Sequence, residues 1–481
     1  MPLSAYKIRG FRGGIADDAY EGVKGAFRFG YGLDIRSGAN TLKCNQALKK
    51  DSGSAVTDLI LFFVPCSNGK LYGFGDTGKI YCKATPTSAW ELKYTDPDGK
   101  ITGAGEYENN DGSGTYRRYL YWATETKLKR IKTTGNWATD VEEFGALNGD
   151  PAWHTMRTAC GVLMICDGGY IAMVDYEGNF NAKALDLIPT NRSKCLLDTD
   201  QLAIIGSTKG DLVEEGWLWT WDKVQPSWIQ KKMIAEKGVN AMISVEFLLI
   251  QAGINGALYF WDTANLLRIK QFPGGGWINP GAVANFKGLP LLGVNGSNKC
   301  GVYSYGRLSK NEVSALNLEY IPSHGKMENV TIGAIGMYSD KPYVSWKDGS
   351  SYGVDTIDEN AKAEARYEGM VFDADEPFSQ KGFRHIKLLT KPLPKNCSVE
   401  VFYKVNEEGD WLLATMEDGA EQFDKEGMTK AIFTIETGDE DDEEEKGKGE
   451  EFEIAVNLHP AGNETPEAKA ITTYFETLGI L

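Results

Sequence analysis

The sequence has no apolar run long enough to cross a membrane as a helix. Its longest runs, at 59–64 and 247–250, have the length of a strand, whereas a membrane helix needs about 18 to 20 apolar residues. The opening MPLSAYKIRGFRGG also lacks the apolar centre of a cleaved signal peptide. We therefore predict no membrane span and no export through a signal peptide.

Paired cysteines and metal-ligand spacings are also missing. Eight cysteines are scattered without a CxxC pair, and several lie in apolar, strand-like sequences. We interpret them as buried free thiols, which indicates synthesis in a reducing compartment. There is no HExxH motif, and the four histidines are far apart: His154, His324, His385 and His459. The sequence therefore predicts no catalytic, cofactor-binding or metal-binding residue, no cofactor, and a protein that is not an enzyme.

Positive charge is scarce relative to negative charge. The formal net charge is −16, which argues against a nucleic-acid-binding surface because such surfaces are basic. Part of the excess is local, since residues 438–451 read GDEDDEEEKGKGEE. A segment this polar and self-repelling predicts a solvated acidic loop. A loop that attracts cations is the alternative.

Glycine is abundant, at 55 residues, and marks a repeated pattern of strand, tight turn and strand. The turns are centred on Asp76, Thr124, Asp175, Asp222, Asp262, Gly306 and Asp348. Their spacing of 40 to 51 residues, with several strands in each unit, is typical of a β-propeller. Seven turns predict seven blades, or six if one turn belongs to an accessory hairpin. The pattern favours an all-β fold.

The best-defined blade spans 59–94 and is interpreted as an inner strand, two strands joined at Asp76, and an outer strand after Trp90. We apply the same plan to 162–180 and 247–269. The blades are expected to fill residues 54–376. Residues 1–53 do not match the unit, and we expect them to be an extended segment that packs on the propeller and supplies the strand that closes the ring.

After the propeller, a different pattern begins. Residues 377–481 contain short alternating strands with polar turns and predict a small antiparallel β-sandwich, with the acidic loop at 438–451 between two of its strands. The predicted strands are 383–389, 398–404, 411–416, 430–435, 451–458 and 471–475.

Four motifs suggest chemistry, and each has a simpler structural interpretation. The string at 345–352 resembles a sialidase repeat but has the wrong spacing from Ser to Asp. The Trp-Asp pairs at 221–222 and 261–262 lack the upstream Gly-His of WD40 repeats, so we interpret them as blade packing followed by a turn. Residues 96–99 and 109–112 carry calcium-ligand types but fit turns better.

Two stretches resemble propeller-bearing structural proteins of tailed bacteriophages, of the tail, nozzle or fibre type. The first is GFRGGIADDAYEGVKGAFRFGYGLDIRSGANTLKCNQALKK (10–50), leading into LYGFGDTGKIY (71–81). The second is ARYEGMVFDADEPFSQKGFRHIKLLTKPLPKNCSVEVFYKVNEEGDW (365–411). The resemblance implies a virion component in or near the tail, made in the host cytoplasm and assembled as a homo-oligomer with other virion proteins.

Three functions follow as expectations. The first is a non-enzymatic structural component of a tailed-phage virion. The second is a carbohydrate-binding propeller that recognises a host surface glycan through exposed aromatic side chains. The third is a propeller polysaccharide hydrolase, which requires a partly buried pair of carboxylates in a groove.

Overall fold

The computed structural model describes residues 3–37, 40–148, 153–188, 190–210, 215–262, 264–406, 409–435 and 447–480. Every regular element in these ranges is a β-strand, so the prediction of an all-β fold is confirmed. Within the same ranges, no helix has the length and apolarity needed to cross a bilayer. The chain divides into two compact units. We call Lys49–Val302 with Pro322–Thr356 the propeller unit, and Met1–Leu48 with Tyr303–Ile321 and Ile357–Leu481 the terminal unit.

The propeller unit is a ring of antiparallel sheets. Six of them are separate four-stranded sheets, which we call blades 1 to 6. Their strands, from the channel outward, are Ile60–Pro65, Leu71–Gly75, Lys79–Lys83 and Trp90–Thr95 in blade 1; Gly103–Asn110, Tyr116–Ala123, Lys127–Lys132 and Glu142–Ala146 in blade 2; Met156–Ala159, Val162–Asp167, Tyr170–Val174 and Phe180–Asp186 in blade 3; Asn191–Asp198, Ala203–Lys209, Gly216–Trp221 and Gln230–Ile234 in blade 4; Val239–Ser244, Leu248–Ala252, Ala257–Trp261 and Leu266–Gln271 in blade 5; and Val330–Tyr338, Lys341–Asp348, Ser351–Lys362 and Gln46–Lys50 in blade 6.

A seventh position in the ring lies between blades 5 and 6. It is filled by Trp277–Phe286 paired with Leu289–Asn295 and continued by Gly301–Gly306, the strand in which the chain leaves the propeller unit. Seven inner strands therefore surround the channel, six of them in self-contained blades. The prediction of a six- or seven-bladed propeller is therefore confirmed: six blades are separate four-stranded sheets, and the seventh position is filled by strands of a larger sheet.

The ring is closed by chain that precedes blade 1. The outermost strand of blade 6 is Gln46–Lys50, and the amides of Asp51 and Ser52 both donate to the carbonyl of Val354, at 2.8 and 3.1 Å. On the channel side, the amide of Ile60 in blade 1 donates to Ser345 Oγ of blade 6 at 2.9 Å. The expected closing strand is therefore present.

The predicted turns are real, but they do not occupy one structural position. The turns at Asp76, Thr124 and Asp348 join the second and third strands of their blades, whereas those at Asp175, Asp222, Asp262 and Gly306 follow the third strand. Successive turns in an antiparallel sheet lie at opposite ends of the strands, so the two groups of turns belong to opposite faces of the propeller. Spacings between neighbouring turns of the same group still range from 40 to 48 residues, so the shift alone does not account for the uneven spacing.

The same shift corrects the plan for two blades. In 162–180 and 247–269, the apolar strand that we interpreted as the inner one is the second strand. The inner strands are Met156–Ala159 and Val239–Ser244 instead. The first has only four residues and little apolar alternation, so period-2 patterning does not reveal it.

Tryptophan side chains pack between and within blades, as expected. Trp122 and Trp219 have no exposed surface, and Trp221 is 2% exposed. Each indole N–H has an acceptor: Asp96 Oδ2 at 2.7 Å for Trp122, Ser207 Oγ at 2.8 Å for Trp219, and the Gln225 carbonyl at 2.8 Å for Trp221. Seven cysteines are buried and free, and Cys160 is half-buried, which confirms the interpretation as free thiols.

The terminal unit contains two larger sheets. The first has the order Ser4–Ile8, Glu467–Ile480, Ser379–Thr390, Lys430–Thr434 and Thr415–Met416, with Lys448–Gly449 paired to Ser379–Thr390 and Leu42–Lys43 paired to Glu467–Ile480. The second has the order Ala315–Tyr320, Phe29–Tyr31, Ala365–Glu368, Phe452–His459, Ser398–Val405 and Leu412–Leu413, with Gln422–Phe423 beside Ser398–Val405. Gly14–Ile15 and Ala26–Phe27 form a short parallel pair. The strands predicted after residue 377 agree closely with these bounds.

Aromatic side chains connect the two sheets of the terminal unit. Phe383 of the first sheet stacks on Phe452 of the second, with ring centroids 4.1 Å apart, and Phe475 approaches Phe372 at 5.3 Å. Phe372 in turn stacks on Tyr6 at 3.9 Å. The N-terminal strand is thus part of this unit, while its predicted packing on the propeller and the name β-sandwich stay predictions.

Candidate binding site in the propeller channel

The inner strands of the propeller unit enclose a cavity of about 660 Å³. It is lined by 62–65, 104–106, 155–158, 197–198, 242–244, 280–281, 283–285 and 335–337, with Leu163 from the second strand of blade 3. All seven inner strands contribute, mostly with their later residues. The cavity is therefore a property of the closed ring and not of any single blade.

Two glycines let the inner strand of blade 1 lie close to the inner strands of the seventh position and of blade 6. A Cβ at Gly281 would lie 2.0 Å from the carbonyl oxygen of Leu61, and a Cβ at Gly336 would lie 2.4 Å from Cβ of Phe63. Distances this short exclude a side chain. Glycine at these positions sets the width of the ring beside the inner strand of blade 1.

The walls combine apolar side chains with exposed polar atoms and carry three charged side chains: Glu106, Arg157 and Asp198. Both carboxylates have partners within the propeller unit. Glu106 accepts hydrogen bonds from the amide of Ser67 at 3.0 and 3.1 Å and from the Ser67 hydroxyl. Asp198 accepts one from the amide of Cys160 at 3.3 Å.

Arg157 differs from the two carboxylates because it has no partner among the residues that the structure describes. It lies on the inner strand of blade 3, and its side chain is exposed to the cavity. The surrounding walls desolvate the guanidinium and lower its pKa, with no contribution from a carboxylate. The structure therefore places in the channel one cation that no described residue pairs with.

Trp153 and Lys194 lie near the starts of the inner strands of blades 3 and 4. The Trp153 ring lies 5.9 Å from that of Phe62 in blade 1, so the pair reaches past the inner strand of blade 2. Lys194 of blade 4 is 5.9 Å from the Trp153 ring and donates to Asn240 Oδ1 at 2.6 Å. Burial lowers the pKa of Lys194 to about 8.

The histidines considered in the sequence are not brought together. His154 is fully buried and makes a network with Thr102 Oγ1 at 2.7 Å and Asp167 Oδ1 at 3.3 Å. Asp167 also accepts from the Asn148 side chain at 2.6 Å. The remaining three contact residues other than a histidine: His324 packs on Trp346, His385 on Tyr474, and His459 approaches Glu400.

The two candidate calcium loops take part in internal contacts. Asp96 is buried and accepts from Lys129 Nζ at 2.6 Å as well as from Trp122. Asn109 accepts from the Tyr121 hydroxyl at 2.8 Å. Across the described ranges, no group of three His, Cys, Asp or Glu side chains is arranged to hold a metal ion. The acidic loop prediction falls largely outside the described residues, which resume at Gly447.

Sequence reasoning missed Arg157 altogether. The residue stands in MRTA, a strand of four residues that the pattern did not reveal. Even with the strand known, alternation alone does not show that a cation on it lacks a counter-charge. That property depends on six other inner strands, which only the closed ring brings together.

No protein-family model matches the chain, and no curated protein matches it. Among solved structures, it is similar to the WD40 β-propeller domain of Doa1, with 11% identity over 66% of this chain and 97% of that one and a TM-score of 0.45. A chain of the mitotic checkpoint complex is 11% identical over 65% of this chain and 93% of that one, with a TM-score of 0.45. The β-propeller domain of Cps50 (Swd1) from Myceliophteria thermophila is 13% identical over 64% of this chain and 98% of that one, with a TM-score of 0.44. These likenesses concern the propeller fold and say nothing about function.

Proposed function

We propose that the chain is a non-enzymatic structural component of a tailed-bacteriophage virion, located in or near the tail. The observation that carries the proposal is the relation between the two stretches that resemble phage tail proteins. They are more than 300 residues apart in the sequence, and their strands pair directly in the terminal unit. Phe29–Tyr31 lies antiparallel to Ala365–Glu368, with Tyr31 opposite Arg366.

Charged side chains reinforce this pairing. Arg28 lies 3.2 Å from Glu368 and 3.0 Å from Glu453, whose side chain is only 2% exposed. Arg366 donates to Glu368 at 2.8 Å and to Asn457 at 3.0 Å. The two stretches therefore belong to one structural module, which is what a shared family origin predicts for them.

The proposal extends to assembly. A propeller joined to a β-rich module offers two rigid surfaces for symmetric contacts, and we propose a homo-oligomer that contacts other virion proteins. The site of action is then the virion, after synthesis in the host cytoplasm.

Quantitative mass spectrometry of purified particles tests the role. The particles must come from the phage whose genome encodes this chain. The polypeptide is expected at a fixed stoichiometric ratio to the major tail protein, through repeated density-gradient purification. Its absence from particles that package DNA and carry complete tails would contradict the proposal.

A second candidate function, binding of a host surface glycan, is favoured by one exposed aromatic pair. Tyr116 of blade 2 and Tyr176 of blade 3 stack with centroids 4.3 Å apart and are 40% and 47% exposed. Glu177 holds the pair, accepting from the Tyr116 hydroxyl at 3.1 Å and from Asn110 at 3.2 Å. A fixed, exposed ring beside polar groups is the kind of surface on which a sugar ring stacks.

A glycan array with the purified chain tests this candidate. If it is right, Tyr176→Ala weakens binding to the preferred glycan by about fivefold, since the loss of an aromatic contact is worth about 1 kcal/mol. Tyr20→Ala, which removes a tyrosine that is 45% exposed in the terminal unit, serves as the matched control. Equal binding by both variants, or no glycan bound, contradicts it. The polysaccharide-hydrolase alternative has no comparable observation in its favour.

A further inference from the structure

We propose that the propeller channel is a binding site for a small organic anion, with Arg157 as the residue that pairs with its carboxylate or phosphate group. The inference does not depend on a role in the virion. It follows from the chemistry of the cavity walls and from the position of one cation in them.

The cavity has the size and composition of a small-molecule site. Its volume of about 660 Å³ falls within the range of roughly 300 to 1,000 Å³ that is common for ligand pockets. Met156, Met242 and Met337 contribute to the wall from three different inner strands. Thioether side chains are flexible and polarizable, so they adapt to an apolar ligand body.

Arg157 supplies the specific polar contact. Its guanidinium has five N–H donors in a fixed planar arrangement that matches two oxygens of a carboxylate or phosphate. None of these donors is engaged by another described residue, and the pKa of Arg157 shows no influence of an acid. A cation that its surroundings partly desolvate and that has no counter-charge among the described residues gains from an incoming anion, because a charge-assisted pair replaces lost hydration.

The other charges in the channel define what kind of anion fits. The carboxylates of Glu106 and Asp198 line the same walls, so a polyanion such as a nucleic-acid strand meets repulsion where it would need further cations. A ligand with one anionic group and an apolar body avoids this repulsion. The site is therefore assigned to organic anions that carry a single carboxylate or phosphate group.

Isothermal titration calorimetry on the full-length chain tests the assignment with three probes of similar shape: 1-naphthoate, 1-naphthyl phosphate and the neutral 1-naphthalenemethanol. At least one of the two anions is expected to bind with a 1:1 stoichiometry, about tenfold or more tightly than the alcohol, because a charge-assisted pair adds to the apolar contact. The comparison of carboxylate with phosphate identifies which group the site prefers.

Two variants connect the binding to Arg157. Arg157→Gln is expected to weaken the anion about tenfold or more while leaving the alcohol unchanged, and Arg157→Lys to retain part of the preference. Arg118→Gln, which removes an exposed arginine paired with Glu108 at 2.9 Å, is the matched control and should bind as the unaltered chain does. Thermal denaturation confirms that the variants fold.

Three results overturn the proposal. They are the absence of heat from both anions at millimolar concentration, equal affinity for the anions and the alcohol, and unchanged anion binding by Arg157→Gln. The second result would reduce the cavity to an apolar pocket. The third would place the anion elsewhere on the chain.

Discussion

The two units of this protein are assembled from the chain in opposite ways. In the propeller unit, nearly every strand pairs with its neighbour in sequence, as Tyr119 pairs with Lys132 in blade 2. In the terminal unit, strands pair across almost the whole chain, as Ser4 does with Phe475. The propeller is thus a series of local hairpins closed by one strand, whereas the terminal unit requires three distant segments at once.

The cations near the channel differ from other buried cations, such as Lys129 of blade 2, whose ammonium lies 2.6 Å from Asp96. In the terminal unit, Lys404 is 7% exposed at its side chain and lies 2.7 Å from Glu453. In the propeller channel, Arg157 and Lys194 have no acidic partner among the described residues. In the terminal unit, ion pairs therefore join segments that are distant in the sequence. Near the channel, the two cations are not held in an ion pair with a described residue. Four changes test this comparison.

Glu453→Gln gives the largest expected effect. It removes the carboxylate that lies between Arg28 and Lys404, and breaking a buried ion pair costs about 3 to 5 kcal/mol. Hydrogen exchange followed by mass spectrometry should show lost protection in Phe29–Tyr31 and Ser398–Val405, with the blades unchanged. Asp418→Asn, at an ion pair that is 52 to 61% exposed, should leave exchange unaltered. If the two variants show equal hydrogen-exchange protection in these strands, the buried ion pairs do not hold the segments of this unit together.

Lys194→Met tests how the stability of the propeller unit depends on pH. The pKa of Lys194 is about 8 in the folded chain, against 10.5 as its ordinary value. Between these pH values the unfolded chain binds more protons, so the unfolding free energy of the parent rises with pH relative to the variant. The increase in the unfolding free energy of the parent relative to the variant reaches about 3 kcal/mol at pH 10.5 and is absent below pH 8. Parallel urea curves at pH 7 and pH 10 measure it, and a constant difference refutes it.

Ser207→Ala has a smaller effect that should stay within one region. The hydroxyl accepts from Trp219 Nε1 at 2.8 Å, and both residues are fully buried. An orphaned indole N–H costs about 1 to 3 kcal/mol. In a double-mutant cycle with Trp219→Phe, the double variant should lose less unfolding free energy than the two single variants lose in total. Strict additivity of the two losses shows that the bond contributes nothing.

Ser52→Ala is the mildest change and concerns ring closure. Ser52 Oγ accepts from the amide of Val354 at 3.1 Å, and losing one such bond costs about 1 kcal/mol. The Val354 amide should exchange faster, which amide-resolved exchange by NMR can measure. If its rate is unchanged, closure depends on the backbone bonds of this segment alone.

Local structure explains what the sequence could predict. Blade 1 was predicted nearly strand by strand, since Leu71–Gly75 and Lys79–Lys83 alternate clearly and are separated by a short Asp-Gly turn. In blade 3 the pattern was applied one strand out of step, because the inner strand Met156–Ala159 is too short to alternate. A periodic signal therefore fixes the number of repeats better than their phase.

Non-local structure was beyond the same reasoning. Ser398–Val405 and Phe452–His459 could be recognised as strands, but nothing in either indicates that Ala365–Glu368 lies beside one of them and Phe29–Tyr31 next to that. Pairing over hundreds of residues depends on side-chain complementarity and not on turn chemistry. Arg157 is the functional counterpart: its lack of a counter-charge becomes visible only when seven inner strands surround it.

Electron cryo-microscopy of the phage particle tests the central claim most directly. A propeller with seven inner strands around a channel, joined to a β-rich module that contains both the first and the last strands of the chain, should repeat around the tail axis and accept this sequence. A complete tail whose density is fully explained by other polypeptides would contradict the account.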